Sequence, residues 1–192
     1  MDIKRSNSDQ DIDYLVNDDF LDISSLIDKE VIIIGERHRN SSDEKLVRRL
    51  IKKCKPDYVL VEALGDYKLL STPTKKRYLG KDESEHYYGE FTKHWIEISL
   101  EFNVSFIGLE YTAWSDEEFQ RLSLEETFKI RETYWIKLIE QYRRKGNVLV
   151  VCGDTHLRTI KTDQLGEISP LYLKYNGKEN SAVIRSAEGE IE

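Results

Sequence analysis

VIIIGERH, residues 31–38, runs four β-branched residues into a glycine, a carboxylate, an arginine and a histidine. A short continuous apolar run of this kind suits a strand covered on both faces of a mostly parallel sheet. VLVVCGDTH, residues 148–156, repeats the arrangement near the other end of the chain: a glycine, an acid directly after it, and a histidine three residues beyond the glycine. Residues 58–61 and 104–107 are two further apolar runs, the first closing on Glu62 and the second leading through Gly108 to Glu110. The segments between them are helical in pattern. Leu46, Val47, Leu50, Ile51 and Cys54 fall at helical spacing over residues 42–54, and Pro56 ends that helix. Phe91, Trp95, Ile98 and Phe102 mark one face over residues 83–102, and helical patterning runs from Ser115 to Arg144 with a break near Ser123, stopped by Gly146. Strand and helix therefore alternate, which predicts an α/β fold: a mostly parallel central sheet flanked by helices. The Asn176-Gly177 pair predicts a C-terminal β-hairpin over residues 168–185.

At 192 residues the chain is expected to form a single domain with a sizeable core, residues 1–12 being polar and expected to be flexible. STPTKKRYLGK, residues 71–81, is basic and rich in breakers and reads as a loop or lid. The net charge is −7 with both signs scattered, so nucleic acid and an anionic membrane are poor partners, and a small molecule, metal ion or peptide fits better. No apolar run approaches the ~20 residues of a membrane span, so no integral membrane segment is expected. Cys54 and Cys152 follow no zinc-ribbon spacing and no signal-like segment opens the chain, which points to a reducing cytoplasm.

Ligands of open α/β sheets bind at the carboxyl ends of the parallel strands. His38, Glu62, Glu110 and His156 each follow a predicted strand, so one sheet would gather all four at one rim. Glu36 and His38, and likewise Asp154 and His156, lie two apart and in extended backbone project to one side. A carboxylate on the second nitrogen of an imidazole fixes its tautomer and suits it to general base or metal ligand work; a histidine that caps a helix or bonds a backbone carbonyl is the structural alternative. Arg131 shares the apolar face of Phe128, Trp135, Leu138 and Tyr142. It could clamp Glu62 or Glu110, stabilise a developing negative charge, or snorkel to solvent. Tyr111 and Trp114 could line the crevice. His86 and His94 sit among aromatic residues without metal-ligand spacing, and neither glycine turn is followed by the Lys-Ser/Thr pair of a P-loop, so no nucleotide cofactor is expected.

GERH, VLVEAL, FIGLEY, IRETYWIKLI and VVCGDTHL together resemble the TraB and TIKI-like proteins and the related erythromycin esterase and ChaN-like proteins, over residues 31–160. The resemblance implies an α/β domain with paired GxxH motifs and an active site of His38, Glu62, Arg131 and His156, and matches Glu110 to a similar GLE segment; Glu36, Asp154 and Tyr111, placed at the same rim by the strand ends, are expected with Glu110 as binding residues. It implies a hydrolase, metal-dependent and peptidase-like or else esterase-like, that cleaves an ester, lactone or peptide-like bond in a small-molecule or peptide substrate. A divalent metal (Mn, Co or Zn) held by His38, Glu62 and His156 is compatible with it. Glu36 looks like the esterase and ChaN branch, whereas the GLE segment looks like the TraB and TIKI branch. The alternative is a non-catalytic regulatory protein that binds a ligand, metal or peptide in the same crevice.

Overall fold

A computed structural model describes residues 14–17, 19–37, 41–62, 90–109 and 121–186 of the chain. In chain order the elements are β1 (Tyr14–Val16), β2 (Asp19–Phe20), β3 (Val31–Glu36), α1 (Ser41–Cys54), β4 (Tyr58–Val61), α2 (Glu90–Phe102), β5 (Ser105–Gly108), α3 (Leu124–Arg143), β6 (Val148–Gly153), α4 (Pro170–Tyr175) and β7 (Ser181–Ser186). A 3-10 turn, Asp154–Leu157, follows β6 directly.

The strands form one sheet in the order β2-β1-β7-β3-β6-β4-β5. The five strands from β7 to β5 run parallel, and β1 and β2 extend the β7 edge in antiparallel sense. The expected α/β class and mostly parallel sheet are therefore present. Because successive strand residues face opposite sides, the β-branched runs feed two cores. Ile32, Ile34, Val59, Val61, Leu149 and Val151 pack with Leu46, Val47, Leu50 and Ile51 of α1 and Trp95 and Ile98 of α2. Ile33, Leu60, Ile107, Val148 and Val150 face the other side, against Trp135 and Ile139 of α3 and Leu171 and Tyr175 of α4. Three layers result.

The helices begin and end where local chemistry directs. Asp43 and Glu44 in the first turn of α1, and Lys52 and Lys53 in its last, complement the helix dipole; Lys55, in the left-handed region, and Pro56 stop it. The sequence break near Ser123 is a helix start. The Ser123 hydroxyl accepts from the Glu126 amide at 3.2 Å while Glu126 accepts from the Ser123 amide at 2.8 Å, a reciprocal cap.

The C-terminal β-hairpin is corrected. Its first arm is α4, opened by Ser169, whose hydroxyl accepts from the amides of Leu171 and Tyr172, with Pro170 at a position that needs no amide hydrogen. Leu171 and Tyr175, one helical turn apart, are the buried pair that makes helix the better solution. Gly177 does turn the chain, at φ 65°, but from helix into strand; β7 then pairs with β3 and β1.

Gly35, near the end of β3, meets the Asp154 turn so closely that a Cβ would lie 2.9 Å from the Asp154 Cα and crowd its carboxylate. Backbone cannot move aside as a side-chain tip can. Gly35→Ala is expected to cost about 1–3 kcal/mol, read as a lower urea midpoint at unchanged slope; an unmoved midpoint would show that the turn has room.

Candidate functional site

The carboxyl ends of β4 and β6 lie side by side, since Val61 is in register with Val151. Glu62 is the residue after β4, and its own amide continues the ladder to the Val151 carbonyl. From this position its carboxylate reaches across the end of β6. Oε2 accepts the Gly153 amide at 2.7 Å, and Oε1 accepts Arg131 Nη2 at 2.6 Å. His156 Nε2 lies 3.3 Å from the same Oε1. Arg131 comes from the middle of α3 and lies over the Trp135 ring. Three residues predicted from the sequence, Glu62, Arg131 and His156, thus meet in one contact group. The apolar position of Arg131 is explained by the partner it finds.

His156 is 2 % exposed. Its ring stacks on Phe128, centroids 4.3 Å apart, and packs against Trp135 at the same distance. Its second nitrogen, Nδ1, lies 3.2 Å from Oε1 of Glu132, a fully buried carboxylate. Glu132 in turn accepts Arg158 Nη1 at 2.7 Å and lies 2.9 Å from the Ser169 hydroxyl. Arg158 is also held by the Thr155 carbonyl and lies over Phe128. The result is an alternating row, guanidinium, carboxylate, imidazole, carboxylate, guanidinium, running from Arg158 inside the protein to Arg131 at the rim. Each carboxylate is matched by a guanidinium, which a buried charge requires.

Burial alone would push the Glu62 carboxyl up, but the hydrogen bond and charge of His156, the charge of Arg131 and the Gly153 amide outweigh it and hold Glu62 far below the usual carboxylate range. Glu62 is therefore a fixed anion and a weak base. Cys152, the neighbour of Gly153, is a buried thiol that burial and the surrounding carboxylates push well up, so it is no nucleophile.

The acid of the second motif does not accompany its histidine. Asp154–Leu157 is a 3-10 turn, not extended backbone, so Asp154 and His156 diverge. His156 turns toward Glu62 and Glu132, while Asp154 lies toward β7, its Oδ2 3.8 Å from Arg185 Nη2. Burial raises the Asp154 carboxyl, with Arg185 opposing. Glu36 closes β3, buried and in register with Gly153. His38, Glu110, Tyr111 and Trp114 lie outside the described residues, as do His86, residues 1–12 and the 71–81 segment. His94 pairs with Glu44 on the surface between α1 and α2, at 3.3 Å, and packs on Trp95.

Glu132, Arg158 and Ser169 escaped the sequence reading. Glu132 had a signal: it follows Phe128 by four residues and precedes Trp135 by three, so it sits in the middle of the buried stripe. Asp43 escaped as well. Buried at the start of α1, it accepts the Arg37 amide at 2.6 Å and the Tyr14 hydroxyl, forming a second polar cluster at the same rim.

The donors of Glu62 and His156 do not suit a metal ion as they are held. Both Glu62 oxygens and both His156 nitrogens face polar partners, and a dication there would oppose the Arg131 guanidinium. Among the described residues, no group of three or more His, Cys, Asp or Glu is arranged to hold one. Among the same residues, no helix is long and apolar enough to cross a membrane.

No family model and no curated protein matches the chain. Two solved structures resemble it. The type III effector HopBA1 shares 16% identity at a TM-score of 0.51, covering 77% of each chain. RRSP, a MARTX toxin effector domain from Vibrio vulnificus CMCP6, shares 17% identity at a TM-score of 0.52, covering 78% of this chain and 32% of that one. The chain thus spans about a third of the RRSP structure. At such identities the likeness is one of fold.

Proposed function

We propose that the protein is a hydrolase of the TraB/TIKI and erythromycin esterase/ChaN-like type that cleaves an ester, lactone or peptide-like bond with water. The observation that carries the reading is the convergence of Glu62, Arg131 and His156 at the carboxyl ends of β4 and β6, the place where open α/β sheets hold ligands. His38, two residues beyond β3 in the chain, takes the part of general base: it accepts a proton from the attacking water and returns it to the leaving group. Arg131 faces the oxyanion that forms. Glu62, ionised and triply held, keeps the guanidinium in place. His156 holds Glu62 from the buried side. These steps use protein side chains alone.

Purified protein assayed on ester, lactone and peptide panels, with and without added Mn²⁺, Co²⁺ or Zn²⁺, tests the reading. Turnover is expected without added metal and after chelation, falling about 10²–10⁴-fold in His38→Ala and about 10²–10³-fold in Arg131→Met. Turnover equal to wild type in both variants would remove the catalytic assignment. A second reading, a non-catalytic protein that binds a ligand or peptide in the same crevice, is favoured by one observation: every polar atom of His156 and Glu62 facing a partner describes a static lock as well as a catalyst. Ligand-induced stabilisation without turnover would select it.

A further inference from the structure

We propose that Glu132 is a positioning residue that keeps a proton on Nδ1 of His156, with Arg158 holding Glu132 in turn. The assignment of this role rests on the hydrolase reading, whereas the proton's position does not.

The argument is one of donors and acceptors. Glu132 is 0 % exposed, and a carboxylate taken wholly from water survives as an anion only if its oxygens are satisfied and its charge is matched. Arg158 supplies the match: Nη1 donates to Oε1 at 2.7 Å, and Nη2 lies 3.5 Å from Oε2. An ionised carboxylate offers no hydrogen of its own. The 3.2 Å contact between Oε1 and His156 Nδ1 is therefore attractive only if Nδ1 carries the hydrogen. A bare Nδ1 would set a ring lone pair against a buried anion; Nε2, 3.3 Å from the ionised Glu62, meets the same demand, so the ring between the two carboxylates presents a hydrogen to each.

The ring cannot escape this choice by turning. Phe128 lies against one face at an interplanar angle of 24°, and Trp135 packs at 51°. The backbone is pinned too, because the His156 carbonyl lies 2.6 Å from the Ser169 hydroxyl, which also accepts the first amides of α4. One serine thus caps α4 and, with its single hydrogen, ties that cap to the nearer acceptor, the His156 carbonyl. With Nδ1 committed inward, Nε2 is the nitrogen left to meet Glu62 at the rim. Glu132 acts on the chemistry only through that orientation.

Nitrogen-15 spectra of the histidine rings of the 192-residue chain at neutral pH read the proton directly, after assignment with His156→Gln. In the wild type the His156 Nδ1 is expected to appear protonated, with a slowly exchanging hydrogen signal. Glu132→Ala is expected to lose that slow exchange, and Glu132→Gln, which keeps an acceptor oxygen, to retain the signal at a changed shift. Turnover on the same substrates should fall about 10²–10⁴-fold in Glu132→Ala and recover in part in Glu132→Gln. An unprotonated Nδ1 in the wild type overturns the proposal, whether or not any variant folds. So does a folded Glu132→Ala whose Nδ1 signal is unmoved. A protein that hydrolyses nothing yet shows the protonated, Glu132-dependent Nδ1 loses the hydrolase reading while the coupling stands.

Discussion

Glu62→Ala is expected to destabilise the protein by about 3–5 kcal/mol at neutral pH, because it removes the one carboxylate that the Arg131 guanidinium, the Gly153 amide and Nε2 of His156 share. Arg131 is only partly able to recover hydration, its side chain being 16% exposed. The loss is one of broken compensation more than of a missing attraction. Glu62→Gln separates charge from shape, since the amide keeps one acceptor oxygen but no charge. The pH dependence has a definite sign. The Glu62 carboxyl is held below its unfolded value of about 4.3, so its stabilising contribution is complete above that value and is lost as pH falls through the folded one. The stability gap between wild type and Glu62→Gln should therefore be constant from neutrality to about pH 5 and narrow below about pH 4. Urea unfolding at a series of pH values measures it. A gap that widens on acidification would contradict an ionised Glu62.

Glu132→Met and Arg158→Met are expected to cost about 3–5 kcal/mol each, and the double variant less than their sum. Each single change leaves a charge in the dry interior with its main partner gone, whereas the double change removes both. Exchange of a buried ion pair for apolar groups of like volume is often close to neutral. Full neutrality is not expected here, because His156 Nδ1 still loses its acceptor, at about 1–3 kcal/mol. By these figures a double-mutant cycle by chemical denaturation should give a coupling of roughly 3–9 kcal/mol between the two positions. Strictly additive costs would mean that the pair does not act as a unit.

The strands were legible because β-branched runs flanked by Gly and Pro admit few other readings, and their parallel arrangement followed from the helices between them. Arg131 was legible as an anomaly, a charge on an apolar stripe, and Glu62 was among the two partners foreseen for it. Glu132 was as anomalous, between Phe128 and Trp135, but its partners Arg158 and Ser169 come from an irregular segment whose path no periodicity reports. Asp154 shows the complementary error. Spacing of two implies a shared direction only in extended backbone, and the 3-10 turn after Gly153 takes that direction away. The hairpin failed because Asn-Gly specifies a turn and not what enters it; Ser169-Pro170 was the better guide to the element before it.

The placement of β6 bears on how the protein comes off the ribosome. Its neighbours in the sheet are β3 and β4, both made long before it, and among the described residues β3 pairs with β6 and β7 alone. While the chain is still being synthesised, β4 has β5 beside it, but β3 stands with both edges bare until Val148 and the residues after it emerge. Such long-range closure is slow, and unpaired edges invite association with other chains. Gly153 and His156 arrive with the same strand that closes the sheet. An incomplete chain therefore holds Glu62 and Arg131 without the Gly153 amide and the His156 ring that complete the Glu62 contacts, and the charge row comes into being only once β6 and the turn after it are in place.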